Sequence, residues 1–262
     1  MHPSHLRDHL ERKYRRKVLF LCQVGSVNYN LQHEGSDEDY EAFLLPMLED
    51  LYRRRDLADH FTFEEADVKV FFVTHLSNQL EKSNPNFLQL LFSKNLLYLH
   101  PNFSWLLDER DKFVMANLPR LYFSYKGMFF EAQNRFHKSL QKGKPNGKAL
   151  MQMYRVVDFL SRFETNLLDQ ETGEFTGSVY DKSMTYDDSE REVLLRVREL
   201  CSPDTGEFMD RQDMLDLEEQ LLELLKSKEA FYKSYDVDQR ALDSFRDRLE
   251  KSTLSFYVFP SL

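Results

Sequence analysis

Hydrophobic residues enter this chain in short clusters over its first hundred residues and in longer, helix-spaced stripes thereafter. Val18-Leu19-Phe20-Leu21-Cys22 has no polar break and predicts a buried strand. Phe43-Leu44-Leu45 predicts a second, ended by Pro46. Between 66 and 73 the chain alternates, with Val68, Val70 and Phe72 on one face and Asp67, Lys69 and Phe71 on the other, which predicts a third strand. Helices are predicted at 5–16, 47–55 and 74–82. Asn84-Pro85 supplies the N-cap and first position of another, running to residue 91. Beyond residue 95 the period is helical, over 103–115, 121–140, 147–168, 190–200, 209–233 and 237–249. Residues 169–188, rich in Gly, Thr, Ser and Asp, read as an exposed loop or short hairpin. Met214, Leu217, Leu221 and Leu224 form a stripe that does not continue as heptads and so predicts core packing, not a zipper. The expected organisation is a small α/β part over residues 1–115 and a mostly helical part over 116–262, an α+β protein overall.

Composition narrows the class. With 262 residues, 42% apolar and 30% charged, the chain can bury a sizeable core as one domain or two. A net charge of −9 excludes a general nucleic-acid coat protein, whose affinity comes from bulk phosphate neutralisation. It leaves room for local basic runs at 12–17 and 53–55. The first reads as a solvated helix end favoured by the helix dipole, or as an arm that touches nucleic-acid phosphates. Cys22 and Cys201 make neither a disulfide framework nor a zinc spacing. No stretch approaches the roughly 18 apolar residues of a spanning helix, and no apolar leader is visible, so the expectation is a cytoplasmic protein without a membrane contact.

The chemistry concentrates between the first two strands, from Val24 to Asp39. Gly25-Ser26 opens this stretch with a turn whose backbone N–H groups and hydroxyl suit a phosphate. Asp37 and Asp39 close it. If the strand extends through both, they share a face with Cβ atoms about 6–7 Å apart and can share a pair of divalent cations. Mg²⁺ favours carboxylate and phosphate oxygens. Asp67, opening the third strand, is placed to complete such a site. Nucleotidyl transfer needs this set, because its charge moves among oxygens and catalysis is positioning plus electrostatic stabilisation. An Asp-x-Asp pair alone says little in a chain with 44 acidic residues. The conjunction of strand, Gly-Ser, ten residues, Asp-x-Asp, strand and a further strand starting with Asp says much more.

That pattern, Gly25-Ser26-x10-Asp37-x-Asp39, resembles the nucleotidyltransferase superfamily typified by DNA polymerase beta. More narrowly it resembles the minimal bacterial and phage members, some proposed to serve RNA repair. Ser36 directly before the first aspartate, the Asn84-Pro85-Asn86 helix start, and Lys148 followed by Tyr154-Arg155 on one helix are similar to features of that group. The resemblance implies a small mixed sheet flanked by helices, with Mg²⁺ (or Mn²⁺) bound by Asp37, Asp39 and Asp67, and Asp67 able to accept the hydroxyl proton. It also implies that Gly25 and Ser26 cradle the β- and γ-phosphates of a nucleoside triphosphate (NTP), with Ser36, Lys148 and Arg155 as further nucleotide-binding residues. Two positions depart from the pattern. Asn30 stands where many members have Gly, and Asn tolerates the left-handed backbone. Gln89 stands where relatives often carry an acid. The expected activity is transfer of a nucleoside monophosphate to a hydroxyl of RNA, protein or a small molecule, with an RNA 3′ end favoured. The alternatives are an inactive nucleotide- or nucleic-acid-binding protein and a phage–host interaction protein.

Overall fold

The computed structural model describes residues 3–33, 35–201 and 209–258. The chain forms two compact units, Met1–Ala116 with Asp238–Leu262, and Asn117–Val237. The last helix is therefore part of the first unit, although the sequence pattern groups it with the helical segment before it.

The first unit is built on a five-stranded mixed sheet of order β3-β4-β2-β1-β5, made of β1 (Val18–Val24), β2 (Asp39–Leu44), β3 (Ala58–Phe63), β4 (Ala66–Phe72) and β5 (Leu96–Leu99). β2 and β4 run parallel and the other neighbours antiparallel. Helix α1 (Pro3–Tyr14) covers one face, placing Leu6 and Leu10 at helical spacing against Leu21, Tyr40, Ala42, Val68 and Val70. The other face carries Phe20, Phe43 and Phe71 in one row, with ring centroids 5.8 and 5.7 Å apart. Helices α3 (Val73–Glu81) and α4 (Pro85–Leu91) lie over this row, after the short α2 (Leu48–Tyr52). His75 of α3 stacks on Phe71 at 4.9 Å, and Phe87 of α4 meets Phe43 and Phe71 edge-on. Asn84 caps α4 through Asn86 N–H, with Pro85 in its first turn, as the sequence predicts.

β3 and β5 give no clear sign in the sequence. β3 is a half-exposed edge strand, and the two-residue turn joining it to β4 is Glu64-Glu65, both with positive φ (49° and 71°). Such a turn ordinarily announces itself by Asn or Gly. The helix predicted over 103–115 is broken into a 3-10 turn (Pro101–Phe103), α5 (Trp105–Asp108) and α6 (Arg110–Met115).

The second unit contains α7 (Leu118–Gln141), α8 (Gly147–Thr172), α9 (Val179–Met184), α10 (Asp188–Glu199) and α11 (Arg211–Lys233). Its core is aromatic. Tyr125 stacks on Phe159 at 4.2 Å, and Tyr232 donates to Leu160 O at 2.8 Å. The segment expected as loop or hairpin holds α9, whose Tyr180 and Met184 are buried. On α11 the buried line is Met214, Leu221, Leu225 and Tyr232, while Leu224 points outward and is 50% exposed. Helix α12 (Gln239–Val258) returns to the first unit, setting Phe245 4.1 Å from Phe113 and 5.6 Å from Trp105. Among the described residues no helix is long and apolar enough to cross a membrane.

Candidate active site

Parallel pairing of β2 with β4 puts Asp39 opposite Asp67, on neighbouring strands about 4.8 Å apart. Paired residues share a face, so the two carboxylates are side by side. The row continues to Thr62 on β3 and Val24 on β1. Thr62 Oγ1 donates to Asp67 Oδ1 at 3.3 Å, and His60 Nε2 lies 3.6 Å from the same oxygen. Neither residue stands out in the sequence, because the edge strand that carries them does not. The next row on this face is His60, Lys69, Glu41 and Cys22. Below it lies the row of half-buried Phe71 and buried Phe43 and Phe20. The face thus grades from solvent-reaching acids to an aromatic floor.

Glu41 sits within that gradient and is buried. Burial pushes its carboxyl up to about 7, and the nearby Asp39 adds to the rise, while Lys69 at 3.9 Å opposes it. Cys22, beside it on β1, is held well above its usual range, first by burial and then by Glu41. In the sequence Glu41 is not distinguished from the other acids of an acidic chain.

The Gly-Ser turn packs directly on the acidic row. β1 ends at Val24 and the chain enters a 3-10 turn, Gly25–Tyr29. Gly25 adopts φ +82°, and a Cβ there would lie 2.8 Å from Asp39 Oδ2. Only a glycine allows the chain to turn here with the Asp39 carboxylate so close. Asn28 is fully buried and accepts from Ser93 Oγ at 3.1 Å, which also donates to Gln23 O at 2.8 Å. Asn30 ends the turn in the left-handed region, φ 60° and ψ 36°, in the position where the sequence comparison expects Gly. Ser26 is half-buried within the turn. Gln89 is buried on α4, where its side-chain amide donates to Asn86 O at 3.2 Å.

Asp37 departs from its expected place. β2 begins at Asp39, so strand alternation does not set the face of Asp37, which is exposed. The cause is the turn before it. Gly35 has φ +78°, and Ser36 Oγ accepts the His33 N–H at 2.9 Å, so the chain is still turning when it reaches Asp37. Strand pairing starts at Glu38, whose carbonyl accepts from Asp67 N–H at 2.8 Å. Ser36 therefore organises this turn. Lys148 and Arg155 belong to the second unit, on α8. Lys148 is exposed in the first turn, which Asn146 caps through Ala149 N–H. Arg155 is half-buried, within electrostatic reach of Tyr186, whose hydroxyl burial and Asp158 together hold far above its usual range.

Among the described residues no three His, Cys, Asp or Glu side chains lie close enough to hold a metal ion between them. The donor chemistry nevertheless fits a hard divalent cation. Two carboxylates stand in register, a glycine turn packs on one of them, and the adjoining buried acid has an oxygen with no hydrogen-bond partner among the described residues.

A family model for RlaP, described as the RNA repair pathway DNA polymerase beta family, matches residues 4–245. No curated protein matches the chain. Among solved structures, a nucleotidyltransferase-like protein from Exiguobacterium sibiricum 255-15 is 14% identical, with 99% of this chain and 91% of that chain covered at a TM-score of 0.30.

Proposed function

The chain belongs to the RNA repair pathway DNA polymerase beta family and is a nucleotidyltransferase; from that premise we propose that it transfers a nucleoside monophosphate from an NTP to a hydroxyl acceptor, with an RNA 3′ end favoured. The observation that carries this reading is the in-register pair Asp39 and Asp67 with Gly25 packed against Asp39. In the reaction the acceptor oxygen bonds to the α-phosphorus as the bond to the bridging α–β oxygen breaks, and pyrophosphate leaves. Asp67 takes the acceptor proton, and Thr62 and His60 hold its carboxylate from the edge strand. Asp39 and Asp67 would hold Mg²⁺ or Mn²⁺, with Asp37, exposed just before β2, as the further acid of the site. The cation, when bound, neutralises triphosphate charge and eases loss of the acceptor proton. The Gly25–Ser26 backbone and the Ser26 hydroxyl hold the β- and γ-phosphates, with Ser36 as a further nucleotide contact. Buried, unpaired Cys22 and Cys201 suit a reducing, cytoplasmic setting.

The test is incubation of the protein with each α-labelled NTP, Mg²⁺ or Mn²⁺, and total RNA. Label is expected in RNA, lost with Asp39→Ala and with Asp67→Ala. Asp67→Ala should keep most of its NTP binding, since its role lies in the transfer step. Absence of any cation-dependent NTP binding by the unmodified protein would sink the reading.

A further inference from the structure

Glu41 is the acid on this face to which the nucleotidyl-transfer reading gives no role. It is 5% exposed and stands two residues beyond Asp39 on the same side of β2, flanked in register by Cys22 and Lys69. Its Oε1 faces Lys69 Nζ at 3.9 Å, beyond hydrogen-bond reach. Its Oε2 is buried with no hydrogen-bond partner among the described residues. A buried carboxylate oxygen without a donor is costly, and a native fold that keeps one usually has a use for it. Pairing with Lys69 does not account for it. Lys69 is half exposed, the contact is loose, and a buried pair of this kind adds little over an apolar residue of similar size.

Resting on the reading in which Asp39 and Asp67 hold a divalent cation, we propose that Glu41 is a further binding residue of that site, its Oε2 accepting a hydrogen bond from a water molecule that the cation carries. Mg²⁺ retains several waters and is commonly held through only one or two carboxylates. That habit suits a site where two carboxylates stand side by side, and no third lies close enough among the described residues to be a direct ligand. A buried acceptor one pleat below them, about 7 Å along the strand, orients such a water. The aromatic floor beneath keeps bulk solvent from competing for it.

Mn²⁺ binding to the full chain, followed by loss of the free-ion electron paramagnetic resonance signal with and without α,β-methylene-ATP, tests this without turnover. The unmodified protein is expected to bind Mn²⁺ and Asp39→Asn to lose it. Glu41→Gln and Glu41→Leu are expected to keep the native circular dichroism spectrum and to bind Mn²⁺ about tenfold more weakly. The Leu variant removes the buried charge altogether, so the test stands if the Gln variant does not fold. A folded Glu41 variant with unmodified Mn²⁺ affinity, whatever its melting temperature, overturns the role of Glu41 and leaves the nucleotidyl-transfer reading in place. Failure of the unmodified protein to bind Mn²⁺ under either condition overturns both.

Discussion

A methyl group at position 25 would meet Asp39 Oδ2 at 2.8 Å, on a backbone whose φ of +82° already disfavours any side chain. Gly25→Ala is therefore expected to cost about 1–2 kcal/mol of stability. It should also displace the Asp39 carboxylate, so that nucleotidyl transfer falls by about 100-fold or more, an outcome checked by urea denaturation alongside label transfer. Ser93 gives a second handle on the same turn. Its hydroxyl touches both Gln23 O and the buried Asn28 Oδ1. Ser93→Ala strands those acceptors and is expected to cost about 1–3 kcal/mol in urea denaturation. A Ser93→Ala variant as stable as the parent would mean that the turn does not depend on it.

Among the elements, the β3–β4 hairpin pairs a functional strand with an unfavourable turn. Glu64 and Glu65 both adopt positive φ, and Thr62 on β3 contacts Asp67. Replacing the turn by Asn-Gly (Glu64→Asn with Glu65→Gly) relieves that strain and is expected to add about 1 kcal/mol, seen as a higher melting temperature. Helix α2 depends on charge. Asp50 is buried at its N-terminal turn; burial alone would raise its carboxyl, but the Met47 N–H at 2.9 Å, Arg16 at 3.0 Å and Arg55 at 3.8 Å outweigh that and hold it below the usual carboxylate range. A depressed folded-state carboxyl contributes stability that is present above its unfolded value and lost as pH falls through the folded one. Asp50→Asn is thus expected to cost about 2 kcal/mol at pH 7. The gap to the unmodified protein should close as urea denaturation is repeated below about pH 4. A gap independent of pH would remove the ion pairs from the explanation.

At the scale of the molecule, each unit has its own aromatic core, and the first is closed by the last helix in the chain. Phe245 of α12 packs on Trp105 and Phe113 and is 2% exposed. Phe245→Ala is expected to destabilise the unit that carries the acidic row by about 3–5 kcal/mol, although it lies more than 170 residues downstream of that row in sequence. Trp105 is the chain's single tryptophan, so its fluorescence during urea unfolding reads this unit directly. A Phe245→Ala transition in Trp105 fluorescence that coincides with the parent's would separate α12 from the stability of the sheet.

Local pattern determined a good deal of this protein. Alternation from Val68 to Phe72, the Asn84-Pro85 helix start, the long helical stripes and the Gly25-Ser26 to Asp39 spacing are all short-range signals, and the strands, caps and turn they predict are present. Tertiary structure decided what pairs with what. That β4 lies parallel to β2, with Asp67 level with Asp39, depends on hydrogen bonds between segments 28 residues apart, which no local period encodes. Edge strand β3 was hidden because a half-exposed strand needs few apolar residues and its turn lacks glycine. Strand alternation does not set the face of Asp37, because the turn at Gly35 and Ser36 postpones the strand to Asp39. Glu41 reads as a surface acid until the sheet is assembled, since burial belongs to the neighbours a residue acquires and not to the residue.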